Sequence, residues 1–288
     1  MIILSICIPT YNRSNQLDDL LSSIPNLSSI EVVICDDGST DNTLKLIDLY
    51  RDKLNINYFF QHNQGVSAAI KSAYTRARGE FLIKMDSDDS FTPGGCENIL
   101  SMLSQNSYLY TSFVFGVVAI KSDGEQQINI PGKGKSNFIA IRADRRIVGD
   151  LKEVVKRSVV LEYIYDVKPG VRRIPPGLLW VKIAEEHCCL CVPEVVAIKT
   201  YLDNGITDQI LLLKTKFPES MVYLYEILSC SKRYKSTVYR WRYRLLWGRY
   251  AFHARSINLR AWWRLLILFP ALLIYLVDIY KLSKYSSK

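Results

Sequence analysis

The first hundred residues alternate between predominantly apolar runs and segments in which apolar residues recur every three or four positions. The predominantly apolar runs cover residues 2–8, 30–35, 56–60 and 81–85. Runs of this length predict buried strands, and the periodic spacing between them is that of amphipathic helices. The predicted helices cover residues 14–24, 40–49 and 66–77. This order predicts an α/β fold with a doubly wound, mostly parallel sheet, right-handed crossovers and helices on both faces.

Beyond residue 106 the regular alternation ends. Apolar runs predict two further strands, and helical spacing predicts two further helices. These segments cover residues 108–120, 126–130, 150–165 and 178–186. The composition becomes basic and aromatic near residue 230. We therefore expect one domain over residues 1–230 and a separate helical arm over residues 231–288.

The positive charge of the chain is concentrated in that arm. The formal net charge is +9 at pH 7, yet residues 232–264 contain ten lysines and arginines and no acidic residue. Residues 1–231 hold 24 basic and 27 acidic side chains, so this part is mildly acidic. Basic charge that is confined in this way indicates a surface for an anionic partner, either a membrane or a nucleic acid.

The cysteines favour a reducing compartment. The chain has seven, an odd number, and Cys7 and Cys35 lie inside apolar runs, where free thiols are commonly buried. Cys188, Cys189 and Cys191 lack a second Cys or His pair at zinc-site spacing, so we expect them to be structural. The N-terminal residues lack the charged segment and cleavage site of a secretory signal. These features predict a cytoplasmic protein.

Three carboxylates, Asp86, Asp88 and Asp89, follow the fourth apolar run. Like charges at close range repel one another, which a divalent cation would offset. Carboxylate oxygens are the ligands that Mg²⁺ and Mn²⁺ prefer, and the carboxyl ends of parallel strands are where α/β sheets bind ligands. The pattern therefore predicts a metal-assisted phosphate site. The alternative is an acidic loop that caps the next helix.

Polar residues also follow the other three predicted strands. After the first strand, Tyr11 could stack on a base and Arg13 could bind a phosphate or a base. After the second, Asp37 could accept a hydrogen bond from a base N–H group, and after the third, Gly65 allows a ligand to approach the backbone closely. A Gly-x-Gly-x-x-Gly sequence does not follow the first strand, which argues against a dinucleotide-binding domain.

Together these segments resemble family 2 glycosyltransferases with the GT-A fold, in the branch that builds bacterial surface polysaccharides. Four motifs carry the resemblance within residues 1–110: SICIPTYNR at 5–13, VICDDGSTD at 33–41, NQG at 63–65 and DSDD at 86–89. Weaker similarity continues in VGDLKEV at 148–154 and YLDNGIT at 201–207. The resemblance implies that residues 1–105 bind a nucleotide-sugar donor and residues 106–230 bind the acceptor.

The resemblance also implies roles for individual residues. Those expected to bind the donor are Pro9, Thr10, Tyr11, Arg13, Asp37, Asn63, Gly65 and Asp86. Asp88, in a DxD-type motif, would hold Mn²⁺ or Mg²⁺ on the donor diphosphate, and Asp89 would orient its neighbours.

The catalytic base is where the sequence departs from this family. Family members often carry an acidic residue before a helix in the region that matches residues 173–180, but Pro176 stands there. We expect Asp150 to act as the base instead, with Glu153 as the second candidate. Both could alternatively form the acidic first turn of a helix. Glu185 and Glu186 are weaker candidates, since their helix should expose them.

The arm ends in thirteen apolar residues, 265–277, which would rise only about 20 Å as a helix. That is short of the roughly 30 Å hydrocarbon core of a membrane. With basic and aromatic residues around it, such a helix is typical of segments that lie in a membrane surface. Packing in a protein core and binding to nucleic acid are the alternatives, and no other nucleic-acid motif accompanies the charge.

Together with these features, the resemblance implies an inverting, metal-dependent glycosyltransferase at the cytoplasmic face of the cell membrane. It would transfer a sugar from a nucleotide donor, UDP-linked, to a polyprenyl-diphosphate-linked saccharide in surface polysaccharide or O-antigen synthesis. A non-catalytic scaffold that binds nucleotide-sugar is one rival, since Pro176 replaces the expected acid. A nucleotidyltransferase is another, although a glycine-rich phosphate loop does not follow the first strand. The sugar, the linkage, the acceptor and the oligomeric state are left open.

Overall fold

The structure is a computed structural model that describes residues 1–121, 123–143, 149–167, 174–200, 210–232, 237–257 and 262–286. The chain divides into two compact units. The first comprises Met1–Arg172 and Glu186–Asp203, and the second comprises Arg173–Glu185 and Asn204–Lys288. The expected domain over residues 1–230 and arm over residues 231–288 stay predictions.

The first unit contains all ten strands of the described residues. They are β1 (Leu4–Thr10), β2 (Ile30–Asp36), β3 (Ile56–Phe60), β4 (Phe81–Lys84), β5 (Asp89–Phe91), β6 (Ser112–Ile120), β7 (Gln126–Asn129), β8 (Gly134–Ser136), β9 (Lys152–Lys156) and β10 (Cys189–Thr200). The helices before residue 186 are α1 (Ser14–Ser22), α2 (Thr43–Tyr50), α3 (Val66–Arg76), α4 (Gly95–Asn106), α5 (Phe138–Ala143), α6 (Arg157–Tyr163) and α7 (Gly177–Glu186).

The strands form one sheet in the order β3-β2-β1-β4-β9-β6-β10-β5, with β7 on β6 and β8 on β10. The first four strands are parallel to one another. β6 and β10 run in the same direction as these four, because β9 is antiparallel to both β4 and β6. The predicted α/β class with a doubly wound, mostly parallel sheet is confirmed.

The core of this unit lies between the sheet and its helices. All seven residues of both β1 and β2 are buried, as expected for strands that are covered on both faces. Leu17, Leu20 and Leu21 of α1 are fully buried at helical spacing. On α4, Ile99 and Leu103 join the same cluster. The apolar periodicity therefore identifies the buried face of α1 correctly, but of the apolar residues on α2 only Ile47 is buried, whereas Leu44 and Leu49, which we expected to face inward with it, are exposed.

The predicted helix over residues 150–165 is wrong in its first half. Lys152–Lys156 is strand β9, which pairs antiparallel with β4 on one side and β6 on the other. The helix begins only at Arg157. Two neighbouring strands supply the backbone hydrogen bonds of this segment, so sheet pairing overrides its local pattern. The second predicted helix in this half, over residues 178–186, corresponds to α7.

The second unit is helical. In addition to α7 it contains α8 (Ile210–Lys216), α9 (Pro218–Cys230), α10 (Thr237–His253) and α11 (Trp262–Ser286). Trp247 and Ala251 of α10 pack against Trp263 and Ile267 of α11. Gly248 lets these helices approach closely, since a Cβ built there would lie 2.7 Å from the Ala271 Cβ.

α11 is longer than the thirteen apolar residues predicted. The stretch Trp263–Leu282, 20 residues with a mean hydropathy of 2.1, is long and apolar enough to cross a membrane. At 1.5 Å per residue it rises about 30 Å, so the expectation of an under-length helix is wrong. Within the described part of the chain no other helix meets this test, and a single such helix is weak support for a membrane span.

Candidate active site

The loops after β1 and β2 are held together by side-chain hydrogen bonds. The Asn12 backbone N–H donates to Ser39 Oγ (2.9 Å), and the Thr40 N–H donates to Asn12 Oδ1 (2.8 Å). Asp41 Oδ2 accepts from the Ser14 N–H (3.0 Å), at the first residue of α1. Asn12 has a positive φ of 50°, a conformation that asparagine tolerates better than most residues. These bonds bring Tyr11 and Arg13 next to the loop that follows β2.

Asp37 ties the loop after β3 to the same edge of the sheet. Its Oδ1 accepts from Gln61 Nε2 (2.8 Å) and the Gln64 N–H (2.9 Å), and its Oδ2 accepts from the Gly65 N–H (2.8 Å). The Asp37 side chain is buried. A carboxylate has about four lone-pair sites, so one acceptor site is left for a ligand. Asp37 therefore organises the loop in addition to any contact with a base.

Glycines allow these loops to pack closely. Gly65, which precedes α3, has φ = 94°, and Gly38 has φ = 93°. A Cβ on Gly38 would lie 3.1 Å from the Asn63 backbone nitrogen. A larger residue at either position would be strained, so the approach of the two loops depends on glycine.

Tyr11 and Thr10 present different surfaces at the end of β1. The Tyr11 side chain is 48% exposed and offers its ring to a planar ligand. Thr10 Oγ1 is buried and has no hydrogen-bond partner in the described part of the structure. Pro9, one residue earlier, is buried inside β1. The edge thus combines an exposed ring with a hydroxyl whose hydrogen-bonding capacity is unused.

Each carboxylate of the 86–89 segment is paired with a basic side chain. Lys84 Nζ lies 2.6 Å from Asp86 Oδ1, and Arg13 Nη1 donates to Asp88 Oδ2. The side chains of Lys152 and Asp89 are 8% and 0% exposed and form an ion pair with each other. The repulsion expected from the sequence is therefore offset by cations of the chain itself. The alternative of an acidic loop that caps α4 is wrong, since Gly94 is the N-cap residue.

Lys199 of β10 joins this cluster to Asp150, which lies in the part of the unit that follows residue 106. Its Nζ lies 3.5 Å from Asp86 Oδ2 and 3.2 Å from Asp150 Oδ2. Burial would raise the pKa of the Asp86 carboxyl, but Lys84, Lys199 and Lys152 outweigh it and hold that pKa well below its usual range. Burial would likewise lower the pKa of Lys199, but Asp86, Asp89 and Asp150 raise it. Both groups are therefore charged near neutral pH.

Asp150 and Glu153 lie in different environments. The Asp150 side chain is 48% exposed, and that of Glu153 is 11% exposed and lies 3.1 Å from Arg142 Nη2. Burial would raise the pKa of Asp150, but Lys199 and other basic groups lower it overall. Burial dominates at Glu153 and raises its pKa in spite of Arg142. Asp150 precedes β9 and Glu153 lies within it, so the alternative of an acidic first helical turn is wrong.

Gly149 fixes the backbone immediately before Asp150. Its φ is 112°, and a Cβ built there would lie 2.6 Å from Asn129 Nδ2. Only glycine fits this conformation and this spacing. The Gly149-Asp150 part of the weaker motif therefore has a structural reason, whereas Val148 of that motif and the segment 201–207 lie outside the described residues.

Pro176 lies in the second unit, just before α7. With Pro175, Leu213, Phe217 and Met221 it lines a cavity of about 220 Å³ whose walls include Lys214 but no acidic residue. Glu186 is exposed and accepts a hydrogen bond from Tyr163 Oη (2.8 Å). The Pro176 position therefore supplies no proton acceptor.

Asp88 has the character of a ligand for a metal that also binds phosphate. Its side chain is 21% exposed, and Asp89 Oδ1 beside it is buried without a hydrogen-bond partner among the described atoms. Within the described ranges no three His, Cys, Asp or Glu residues form a complete metal cage. Mg²⁺ is commonly held by one or two carboxylates and completed by substrate phosphates, so this donor set fits such an ion.

The lysines of this cluster were not predicted from the sequence. The sequence motifs assign no role to Lys84, Lys152 or Lys199. The available signal was that Lys84 and Lys199 each follow a run of apolar residues, at 81–83 and 195–198. A lysine at the end of a buried strand needs a partner, but only the strand order identifies that partner.

Comparison with known proteins identifies the family. A model described as "Glycosyl transferase family 2" matches residues 5–149, half of the chain. The chain therefore belongs to glycosyl transferase family 2, and the resemblance drawn from its motifs is confirmed.

Two curated relatives illustrate the similarity. A GalNAc(5)-diNAcBac-PP-undecaprenol beta-1,3-glucosyltransferase of Campylobacter jejuni is 32% identical over 170 residues, which cover 54% of this chain and 52% of that protein. A chondroitin synthase of Escherichia coli is 36% identical over 98 residues, or 33% of this chain and 14% of the synthase. The chain spans about half the length of the first of these relatives and much less of the second.

Two solved structures share the fold. TarS 1–349 of S. aureus in complex with UDP-GlcNAc superposes with a TM-score of 0.68 at 16% identity and covers 96% of this chain and 81% of that one. The mannosyltransferase PcManGT of Pyrobaculum calidifontis, in complex with GDP-Man and Mn²⁺, gives 0.52 at 17% identity, with 96% and 82% covered. At such identities the likeness establishes the fold alone.

Proposed function

We propose that this protein transfers a sugar from a UDP-linked donor to a polyprenyl-diphosphate-linked saccharide, with inversion at the anomeric carbon. One observation carries the proposal: the loops after β1, β2 and β3 and the segment 86–89 after β4 meet at one edge of a parallel sheet. A relative named for an undecaprenol-linked substrate and a structural neighbour in complex with UDP-GlcNAc support this choice of acceptor and donor. We place the reaction in bacterial surface polysaccharide or O-antigen synthesis.

The loops after β1, β2 and β3 would hold the nucleotide. Tyr11 stacks on the uracil ring, and the remaining acceptor site of Asp37 takes the base N–H. Asp86 binds the ribose side of the donor. The other residues of this subsite are Pro9, Thr10, Arg13, Asn63 and Gly65.

Asp88 would hold Mn²⁺ or Mg²⁺ against the donor diphosphate, with Asp89 behind it. When bound, the ion acts as a Lewis acid that stabilises the negative charge of the departing nucleoside diphosphate. Arg13 already contacts Asp88, so it orients this carboxylate and adds a positive charge beside the phosphates.

Asp150 would take the proton of the acceptor hydroxyl. As the acceptor oxygen bonds to the anomeric carbon, the bond from that carbon to the diphosphate oxygen breaks, and its electron pair leaves with the nucleotide. Attack from the face opposite the leaving group inverts the anomeric configuration. Glu153 is the second candidate for the base, because its raised pKa favours proton binding.

We further propose that α11 attaches the protein to the cytoplasmic face of the cell membrane. Its exposed face carries a series of large apolar side chains: Leu265, Leu266, Phe269, Leu273, Leu276, Val277 and Tyr280. The basic residues of α10 and its flanks would attract anionic lipid headgroups. If the acceptor is lipid-linked, this attachment keeps the enzyme at the membrane surface that holds its substrate.

The proposed activity is tested with the full chain, Mn²⁺, a panel of UDP-sugars and a prenyl-diphosphate-linked N-acetylglucosamine acceptor. Mass spectrometry should show one added sugar, and NMR should show an anomeric configuration opposite to that of the donor. The same saccharide without the prenyl diphosphate is the matched control. Absence of both transfer and donor hydrolysis with every donor would overturn the proposal.

A further inference from the structure

Lys199 occupies a position from which it contacts both halves of the site. In the β10–β5 ladder it lies directly opposite Asp89, so the backbone position of Lys199 relative to the 86–89 segment is set by sheet pairing. Its side chain is only 19% exposed, and its Nζ lies between Asp86 Oδ2 (3.5 Å) and Asp150 Oδ2 (3.2 Å). An ammonium group has three donors, which lets one lysine bond two carboxylates at once.

We propose that Lys199 is a positioning residue that braces the candidate base Asp150 against the donor-binding carboxylate Asp86. The inference rests on the proposed glycosyl transfer and adds a residue to it. Asp86 and Asp150 belong to different parts of the reaction, since the first faces the donor and the second the acceptor hydroxyl. A shared ammonium fixes the distance between them, and that distance determines whether the hydroxyl can attack in line.

The two carboxylates depend on Lys199 to different degrees. Asp86 keeps an ion pair with Lys84 (2.6 Å) when Lys199 is removed, so the donor side retains a cation. Asp150 keeps the weaker influence of Lys152 and Arg142 but loses the ammonium that joins it to Asp86, so the two carboxylates repel each other more strongly. The loss should therefore appear in the chemical step more than in donor binding. A displacement of about 1 Å in a reacting group can lower a rate about 100-fold.

The test compares Lys199→Met and Lys199→Arg in the full chain. Lys199→Met should lower kcat by about 100-fold and change the KM for the donor by much less. Lys199→Arg should restore most of kcat, because a guanidinium can also bridge two carboxylates. Lys156→Met is the matched control. Lys156 also lies on a strand of this sheet, but its Nζ pairs with Glu80 Oε1 at 3.2 Å and not with the carboxylates of the cluster.

A double-mutant cycle separates positioning from other roles. If Lys199 acts through Asp150, Lys199→Met should cost little further activity in an Asp150→Asn background. Wild-type kcat in Lys199→Met would overturn the inference, as would a defect confined to donor KM or losses that simply add in the double variant. A wild-type chain that transfers no sugar would overturn the proposed function and this inference together, whereas an active wild type with unaffected Lys199 variants overturns the inference alone.

Discussion

At the scale of single residues, the segment 86–89 shows how a carboxylate cluster can be stable without an external cation. Asp86, Asp88 and Asp89 each have a basic partner from another part of the chain or from β4. Charge repulsion alone therefore does not identify a metal site. What favours a metal at Asp88 is its partial exposure and its place at the strand edge where a diphosphate would lie.

Asp88 gives the most direct prediction at this scale. Asp88→Asn should lower the Mn²⁺-dependent turnover by about 100-fold or more, because loss of one ligand weakens charge stabilisation by about 3 kcal/mol. Turnover measured over a Mn²⁺ titration checks this, with Asp123→Asn in an exposed turn as the control. Thermal unfolding of the same variant excludes misfolding from loss of the Arg13 pair. Wild-type turnover in a folded Asp88→Asn protein contradicts the metal assignment.

The pH dependence of the reaction distinguishes the two candidate bases. A carboxylate accepts a proton only when ionised, so activity falls as the pH drops through its pKa. Burial would raise the pKa of Asp150, but Lys199, Lys152 and Arg142 together lower it below its ordinary 3.8. The pKa of Glu153 lies above its ordinary 4.5 because of burial. With Asp150 as the base, kcat/KM should stay level down to about pH 5.

Two variants sharpen this measurement. Glu153→Gln should leave the profile level and largely active if Asp150 is the base, while Asp150→Asn should remove most of the activity across the whole pH range. A profile that falls as the pH drops through a value above 4.5, together with loss of most of the activity in Glu153→Gln, would instead assign the base to Glu153.

At the scale of elements, the sequence predicts those strands and helices whose own residues show an apolar run or an apolar periodicity. β1 to β4 are predominantly apolar runs, and α1 and α3 have apolar faces at helical spacing. The strand-end motifs follow from these elements, so the residues of the proposed donor subsite could be predicted as a group. The direction of the chain and the parallel pairing then place these motifs at one edge.

The rest depends on pairing between distant segments. β9 is five residues long with lysines at both ends, and its strand conformation comes from β4 and β6 on either side. β10 contains Pro193, which is unusual in a strand. The ladder with β6 is irregular between Cys191 and Val195, so the proline lies where pairing is already interrupted. No local pattern could reveal that Lys199 lies opposite Asp89.

The ion pair between Lys152 of β9 and Asp89 can be tested through its effect on the free energy of unfolding. Lys152→Met should lower the free energy of unfolding by about 3 kcal/mol, because it leaves the fully buried Asp89 carboxylate without its partner. Urea unfolding of the full chain, followed by circular dichroism, measures this. Adding Asp89→Asn should recover part of the loss, since the buried charge is then gone.

An exposed ion pair provides the comparison for Lys152. Lys121 pairs with Glu125 at 45% and 61% side-chain exposure, so Lys121→Met should change the free energy of unfolding far less than Lys152→Met does. Equal losses of stability in the two variants would show that burial does not increase the contribution of the Lys152–Asp89 pair to the free energy of unfolding.

At the scale of the whole molecule, charge and apolar surface are distributed unevenly along the chain. Residues 1–231 are mildly acidic, whereas all charged side chains of residues 232–264 are basic. The only acidic residue beyond them, Asp278, is buried and accepts two hydrogen bonds from Arg249 (2.6 Å each). The exposed face of α11 therefore carries no acidic charge to repel an anionic membrane.

Membrane attachment through this face predicts a defined effect of two substitutions. Leu266 and Phe269 are 62% and 71% exposed, so changing both to Gln should leave the folded state intact. Each would remove about 1.5–3 kcal/mol of apolar burial in the lipid interface, and the pair should weaken binding to anionic vesicles at least about tenfold in a sedimentation assay.

Leu44 and Leu49 of α2, also exposed at 48% and 69%, provide the matched control when changed to Gln. The basic residues predict that binding weakens as salt rises and is lower on zwitterionic vesicles. Unchanged sedimentation of the Leu266→Gln/Phe269→Gln protein, with normal thermal unfolding, would show that α11 does not bind lipid through this face.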